Sequence, residues 1–167
     1  MRPHRASLHD PSVRLSRHHV GDFVRLFRMP LTMSKAEREA FLADVHVGVV
    51  SIADRERGPL TAPIWYSYEP GGAVAMLIGP DSRKAKLLKS AERISLCAQT
   101  ETAPYRYVSV EGPVSIGKPP RDATLKMAIR YLGEQVGKQY AANGNGDSLW
   151  VTFTPERWLT TDYSKQR

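Results

Sequence analysis

The chain reads as a mainly β protein, an antiparallel barrel with a few flanking helices. Three observations carry that reading. Six or seven short runs rich in β-branched and aromatic residues follow one another with mostly local connections. One helical pattern interrupts them mid-sheet and a longer one precedes the last strands. The regular strand-helix alternation of a doubly wound nucleotide-binding sheet is missing, and so is a Gly-rich phosphate fingerprint, because "NGNG" lacks both its spacing and its preceding strand.

The elements follow in order. In "MSKAEREAFL" Ser34 and Glu37 stand at capping-box spacing, with Ala36, Ala40 and Phe41 on one face, which predicts a helix over 34–44. "VHVGVVSIA" predicts a strand over 46–53, and the charged "DRERGP" a turn after it. "LTAPIWYSYE" predicts a second strand, with Pro63 marking an edge or bulge. "PGG" at 70–72 is turn material, and the apolar "AVAMLIG" at 73–79 fits a strand buried on both faces that forms a hairpin with the second.

A short helix from Ser82 to about Ser90 leads to a fourth strand, "RISLCAQ", at 93–99. A long fifth strand spans 105–117, and Gly112 with Pro113 predicts a bulge that bends it. "PPRDATLKMAIRYLGEQVGKQYA" is the longest helical pattern, opened by Pro119 and Pro120 and with Leu125, Ala128, Ile129 and Leu132 on its apolar repeat. "NGNGD" is a loop. A sixth strand, a turn at Pro155 and Glu156, and a last short strand containing Trp158 complete the chain.

A length of 167 residues and a composition 41% hydrophobic and 25% charged suit a single domain with a real core. The formal charge of +7 invites an anionic partner, but residues 1–33 hold six Arg against Asp10 and Asp22, so over half the excess lies there. That distribution argues against nucleic acid as the main partner of residues 34–167, and residues 1–33 read as a basic, flexible extension. Met29 and Met33 offer possible native starts. No apolar run suits a signal peptide or a membrane span, and the lone Cys97 suits a reducing cytoplasm. Cys97 reads as a small buried residue rather than a nucleophile. His46 and the pair His18 and His19 lack partners at metal-ligand spacing, so no metal site is expected. Glu111 fits either a partner subunit or a solvent-facing strand position.

Chemistry concentrates in "PDSRKAKL". Ser82 is placed to cap the short helix, and Arg83, Lys84 and Lys86 follow at once. Unpaired amides of a first helical turn, a Ser hydroxyl and cations can converge on one phosphate, with Arg suited to bidentate contact. An ordinary solvated basic helix remains the alternative on spacing alone.

"SRKAKLLKSAERISL" resembles a segment of the pyridoxamine 5'-phosphate oxidase family, in which Ser-Arg-Lys opens a helix and an Arg and an apolar strand follow. "VHVGVVSIADRERGPLTAPIWYSYEPGGAVAMLIG" is similar to the opening hairpins of that family, "YVSVEGPVSI" to its Val-Glu-Gly strand and "PERWLTTDYSK" to its terminal segment. The resemblance covers about residues 34–165. It implies a split β-barrel, antiparallel and Greek-key-like, that dimerises with itself and holds a flavin at the subunit interface.

By this resemblance Ser82, Arg83 and Lys84 would hold the phosphate of FMN. In related reductases that use the deazaflavin coenzyme F-420, Lys84 and Lys86 would serve. Thr61, Ala62, Pro63, Ile64, Trp65 and Tyr66 would border the ring, with Leu77 and Ile78 beside the phosphate helix and Tyr107 near the site. Leu77 and Ile78 stand where the oxidase has Tyr-Thr, and Tyr107 where it has Gln, so pyridoxamine phosphate oxidation is not expected. The implied function is hydride transfer to or from a small organic substrate, with no dedicated catalytic residue identified and with Trp65, Tyr107 and Trp158 as possible stacking surfaces. A non-catalytic flavin- or haem-binding barrel and a basic nucleic-acid-binding barrel are the rival readings.

Overall fold

The computed structural model describes residues 31–144 and 147–166. The elements are α1 (Lys35–Ala43), β1 (Gly48–Ile52), β2 (Leu60–Ile64), β3 (Tyr66–Ser67), β4 (Val74–Ile78), α2 (Arg83–Leu88), β5 (Arg93–Gln99), β6 (Arg106–Gly117), α3 (Ala123–Asn143), β7 (Leu149–Phe153) and β8 (Arg157–Asp162). A single 3-10 turn, Tyr163–Lys165, follows. The strands run β2-β1-β5-β6-β7-β4-β3, with β8 also paired to β6, and every pairing is antiparallel. This is the antiparallel barrel that the pattern of short strands implies, in the split form that the family resemblance implies.

Alternation builds its interior. Val50 and Ile52 of β1, Ile94, Leu96 and Ala98 of β5, and Val108 and Val110 of β6 all point into one core, and Leu96 sits opposite both Val50 and Val110 in register. Each large apolar side chain buried in this way contributes about 1.5–3 kcal/mol of transfer free energy. β4 is buried on both faces as expected, through Val74, Ala75, Met76 and Ile78.

The twelve residues of β6 join the two halves of the sheet. Arg106–Glu111 lie between β5 and β8, whereas Val114–Gly117 pair with β7. The expected bulge at Gly112 and Pro113 is corrected here: the β5–β6 register runs without an inserted residue, and the strand is instead handed from β8 to β7. Gly112 is required by close approach, because a Cβ there would fall 2.0 Å from the carbonyl oxygen of Thr154.

The second strand is also not continuous. Leu60–Ile64 pair with β1 on the sheet edge, where Pro63 needs no N–H partner, and only Tyr66 and Ser67 pair with β4. The hairpin expected between strands two and three therefore survives only at its root. The Tyr131 hydroxyl sits at the break, accepting from the Tyr66 N–H at 2.9 Å and reaching the carbonyls of His46 (2.8 Å) and Tyr66 (3.0 Å).

The predicted capping box is present on α1. Glu37 N–H donates to Ser34 Oγ and Ser34 N–H to Glu37 Oε2. Lys165 Nζ joins that carboxylate at 2.8 Å and, with Ser34, holds the Glu37 carboxyl down to about 2. Residues 31–33, assigned to the extension by the sequence pattern, instead pack with the body. Asp162 N–H donates to Leu31 O, Met33 N–H donates to Thr160 Oγ1, and the Met33 side chain is buried. Residues 1–30, Met29 included, lie outside the described residues.

The long helical segment departs most from expectation. Arg130 donates to the carbonyls of Ala43 and Asp44 at the end of α1, which docks the first half of α3. Leu125 is largely exposed at 36%, while Ala123, Met127, Ala128 and Gly137 are the buried positions. Continuity is broken at Gly133, whose φ of 76° and ψ of 171° are not helical. A side chain at that φ would be strained, so glycine makes the corner.

Candidate functional site

β4, the turn after it and α2 build one wall of a cleft of about 460 Å³. Leu77 and Ile78 end β4, and Gly79 follows it. A turn closed by Ser82 N–H to Gly79 O at 3.2 Å then brings Ser82 and Lys84 onto the lining. Ser82 has extended geometry and caps α2, its Oγ accepting the Ala85 N–H at 3.1 Å. A hydroxyl that accepts one bond retains a proton to donate, and the first amides of the helix have no carbonyl partner within it.

The opposite wall comes from the β2–β3 corner, through Pro63, Ile64 and Trp65, with Val47 beside them. Thr124, Met127 and Ala128 of the first half of α3 complete the apolar surface, and Tyr140 and Ser148 stand at its border. Among the described residues Lys84 is the sole formally charged side chain in this lining, so an anionic group finds its counter-charge at that end. The remaining surface suits a flat apolar body.

The sequence-predicted residues divide accordingly. Ser82, Lys84, Pro63, Ile64, Trp65, Leu77 and Ile78 share the cleft. Arg83 is placed elsewhere: it is paired with Asp54 in the β1–β2 loop and does not line the cleft. The Asp54 carboxyl lies below its ordinary range, chiefly because it accepts the Glu56 N–H and then because of Arg83. The cause is rotational. Successive residues on a helix point about 100° apart, so one short turn cannot aim both cations at the same volume.

Lys86 is exposed and also off the lining. Thr61 and Ala62 lie farther back on the edge strand, outside the cleft. Tyr66 is a core residue, fully buried, with its hydroxyl lacking a partner and its ionisation pushed up by burial first and by Tyr131 second. Tyr107 lies on the outer sheet face opposite Gln99 and Thr161, because alternation along β6 sends Val108 and Val110 inward. Trp158 is covered by the Arg38 guanidinium, 4.5 Å from the ring centroid, and meets Tyr68 edge-on, which makes it a packing residue.

The remaining candidates are structural. His46 stacks on Phe41 with centroids 4.3 Å apart, and burial is the main cause that lowers its pKa. Among the described residues no group of three or more His, Cys, Asp or Glu could hold a metal ion; His18 and His19 lie outside them. Burial pushes the Cys97 thiol up, opposite to an activated nucleophile. Glu111 faces Arg157 at 3.3 Å and Arg93 at 4.0 Å within its own chain.

Sequence reasoning missed Tyr140, Met127, Ala128 and the Asp54 clasp. The two glycines at 133 and 137, four apart inside a helical pattern, were the available signal for Tyr140.

A split antiparallel barrel with its cleft between the end of β4, α2 and the β2–β3 corner defines the class of this protein. Residues 34–162 match the family described as pyridoxamine 5'-phosphate oxidase, and the chain belongs to that family. Solved structures with the same fold include a conserved hypothetical protein from Mycobacterium tuberculosis, 23% identical, with a TM-score of 0.69 over 83% of this chain and 90% of that one. An F-420 reductase is 21% identical, with a TM-score of 0.60 over 72% of this chain and 94% of its own. An FAD-binding protein from Mesorhizobium loti is 16% identical, with a TM-score of 0.57 over 77% and 92%. No curated protein matches the chain. Among the described residues no helix is long and apolar enough to cross a membrane.

Proposed function

We propose that the chain is an oxidoreductase that binds FMN in this cleft and acts by hydride transfer on a small organic substrate, with coenzyme F-420 as the alternative cofactor. One observation carries the reading: among the described residues an apolar cleft has a single charged side chain on its lining, Lys84, beside a capped helix start at Ser82. The donor set fits the group. Ser82 and Lys84 would hold the phosphate, while Pro63, Ile64, Trp65, Leu77 and Ile78 would bound the ring and keep water from it.

When bound, the flavin supplies the redox chemistry. The residues of the chain bind, orient and exclude, and no acid or base on the cleft lining is assigned a proton. The Arg83 pairing with Asp54 leaves one lysine and one hydroxyl at the anionic end, which suits a single phosphate and favours FMN. The apolar Leu77 and Ile78 argue against pyridoxamine phosphate as substrate.

The homodimer belongs to the same proposal, with the cofactor at its interface. The outer face of β2-β1-β5-β6-β8 aligns Pro63, Val49, Cys97, Ser109 and Leu159 in one cross-strand row, and Leu159 is 62% exposed. A second copy would cover that face and close the cleft beside Pro63. A reducing cytoplasm suits the uncrosslinked Cys97.

Fluorescence titration with FMN and with F-420, read beside light scattering of the same sample, tests both parts. Saturable FMN binding by a dimer supports them. A protein that binds neither cofactor, or a monomer at working concentration, overturns the corresponding part.

A further inference from the structure

The connection from α1 to β1 is gripped from both helices. His46 stacks its imidazole on Phe41 of α1, with centroids 4.3 Å apart and planes 19° apart. Its carbonyl accepts the Tyr131 hydroxyl of α3 at 2.8 Å. Beside Tyr131, Arg130 donates to the carbonyls of Ala43 at 2.8 Å and Asp44 at 2.6 Å. Residues 43–46 therefore join the end of α1 to the first half of α3.

The imidazole is half-buried, and its Nε2 is enclosed with no hydrogen-bond partner among the described residues. Arg130 Nε is enclosed in the same way. A bare imidazole nitrogen suits such a place only while it is neutral, because a proton on Nε2 would bury a donor and a charge that nothing there accepts. The charged groups around the ring are Asp44 from its own connection, Arg106 from β6 and Arg130 from α3. Burial opposes the charged form most, Asp44 favours it, Arg106 and Arg130 oppose it, and a backbone bond at Phe41 favours it least. From α1 comes the Phe41 ring, which already has the Arg106 guanidinium 5.3 Å from its centroid, and β1 carries no charged residue.

We propose that His46 is a proton-operated latch on the junction of α1, β1 and α3, which holds the junction shut while neutral and, once protonated, releases the part of α3 that walls the cleft. The path is short. Tyr131, bound to the His46 carbonyl, stacks on Trp65 at 4.9 Å, and Thr124, Met127 and Ala128 of the same half-helix line the cleft. The latch stands on the junction itself, and only its effect on FMN rests on the oxidoreductase reading. His4, His9, His18 and His19 all belong to the basic extension, so His46 is the one histidine of residues 31–166. Histidine is the side chain whose ordinary charge change falls between about pH 5 and 8. Because the folded chain disfavours the charged form, the neutral latch stabilises fully above about 6.5, the ordinary imidazole value, and that contribution is lost as pH falls below it.

The test is a series from about pH 7.5 to about pH 5.5 on the full chain, parent and His46→Phe, read by thermal melting and by near-ultraviolet circular dichroism of the Trp65–Tyr131 stack. Proton NMR follows the imidazole of the parent. The parent should lose about 4 °C more in melting temperature across the series than the variant, and its aromatic dichroism should change in step. The imidazole should titrate below its ordinary value. A phosphate monoester itself takes a proton at about pH 6, so FMN affinity is compared between the two proteins. The parent should lose about fivefold more of it than the variant. Equal pH dependence of melting in both proteins, or an imidazole that titrates at or above its ordinary value, overturns the proposal, and the NMR result decides alone if His46→Phe does not fold. An equal loss of FMN affinity in both proteins overturns the reach of the latch to the cleft. The expected melting and dichroism in a chain that binds no FMN support the latch and reject the flavin reading.

Discussion

The two ends of the cleft are built by different means. At the anionic end Ser82 caps a helix whose first turn carries Lys84, and the cap and turn bonds join residues no more than four apart, with only the Arg83–Asp54 pair reaching farther along the chain. At the aromatic end Trp65, Tyr131 and Tyr140 come from segments far apart in sequence and meet through a helix that doubles back at Gly133. The first end can be read from spacing, whereas the second exists only when α3 is folded on itself.

Substitutions that disturb one end and spare the other sharpen this contrast. The largest effect is expected from Gly137→Ala, because the new methyl meets the Ile129 backbone and no flexible side chain is there to give way. It should cost about 3 kcal/mol of stability in a denaturant titration. Lys84→Ala should instead weaken FMN by about 2 kcal/mol, roughly thirtyfold, with the melting temperature nearly unchanged. Unchanged FMN affinity in Lys84→Ala would remove Lys84 from the anionic end.

Ser82→Ala should destabilise the protein by about 1 kcal/mol through the lost cap, measured by thermal melting, and should also weaken FMN. Arg83→Ala should weaken FMN less than Lys84→Ala does, because Asp54 engages that guanidinium. Asp54→Asn is the converse probe: released from its partner, Arg83 becomes available to an anion, and FMN affinity should rise or hold.

The smallest effect is expected at the α1 start. The Glu37 carboxyl titrates near 2 in the folded chain, against 4.5 ordinarily, because Lys165 and Ser34 favour its charged form. A depressed carboxyl stabilises the fold fully above its unfolded pKa and loses that contribution as pH falls from about 4.5 to about 2. Glu37→Gln should therefore lower the melting temperature slightly at pH 6 and leave it unchanged at pH 2. Solvent exposure keeps the effect small.

Much of the fold was legible because its signals are local. β5 falls on the predicted 93–99, α1 carries the predicted capping box, and β4 shows the two-sided burial that its unbroken apolar run implies. The site was legible in part. Ser82 and Lys84 follow from the cap and its first turn, and Trp65 was implied only by the family resemblance, while Arg83 looked equivalent to Lys84 until Asp54 claimed it. Tyr66 lies in the core and Tyr107 on the outer sheet face, because a stretch of sequence does not say where a strand breaks or which face a barrel turns inward.

By itself the sequence determined the periodicities, caps and turn chemistry that select an antiparallel barrel and place a basic, serine-capped helix after a buried strand. Those are short-range properties, set by backbone sterics and by hydrogen bonds within one turn or one strand. Only the tertiary structure decided which cation enters the cleft, that β6 serves both halves of the sheet, and that Tyr140 lies against Trp65. Each of these depends on contacts between residues distant in the chain, whose partners are chosen by packing and by the close approach that Gly112 and Gly137 permit.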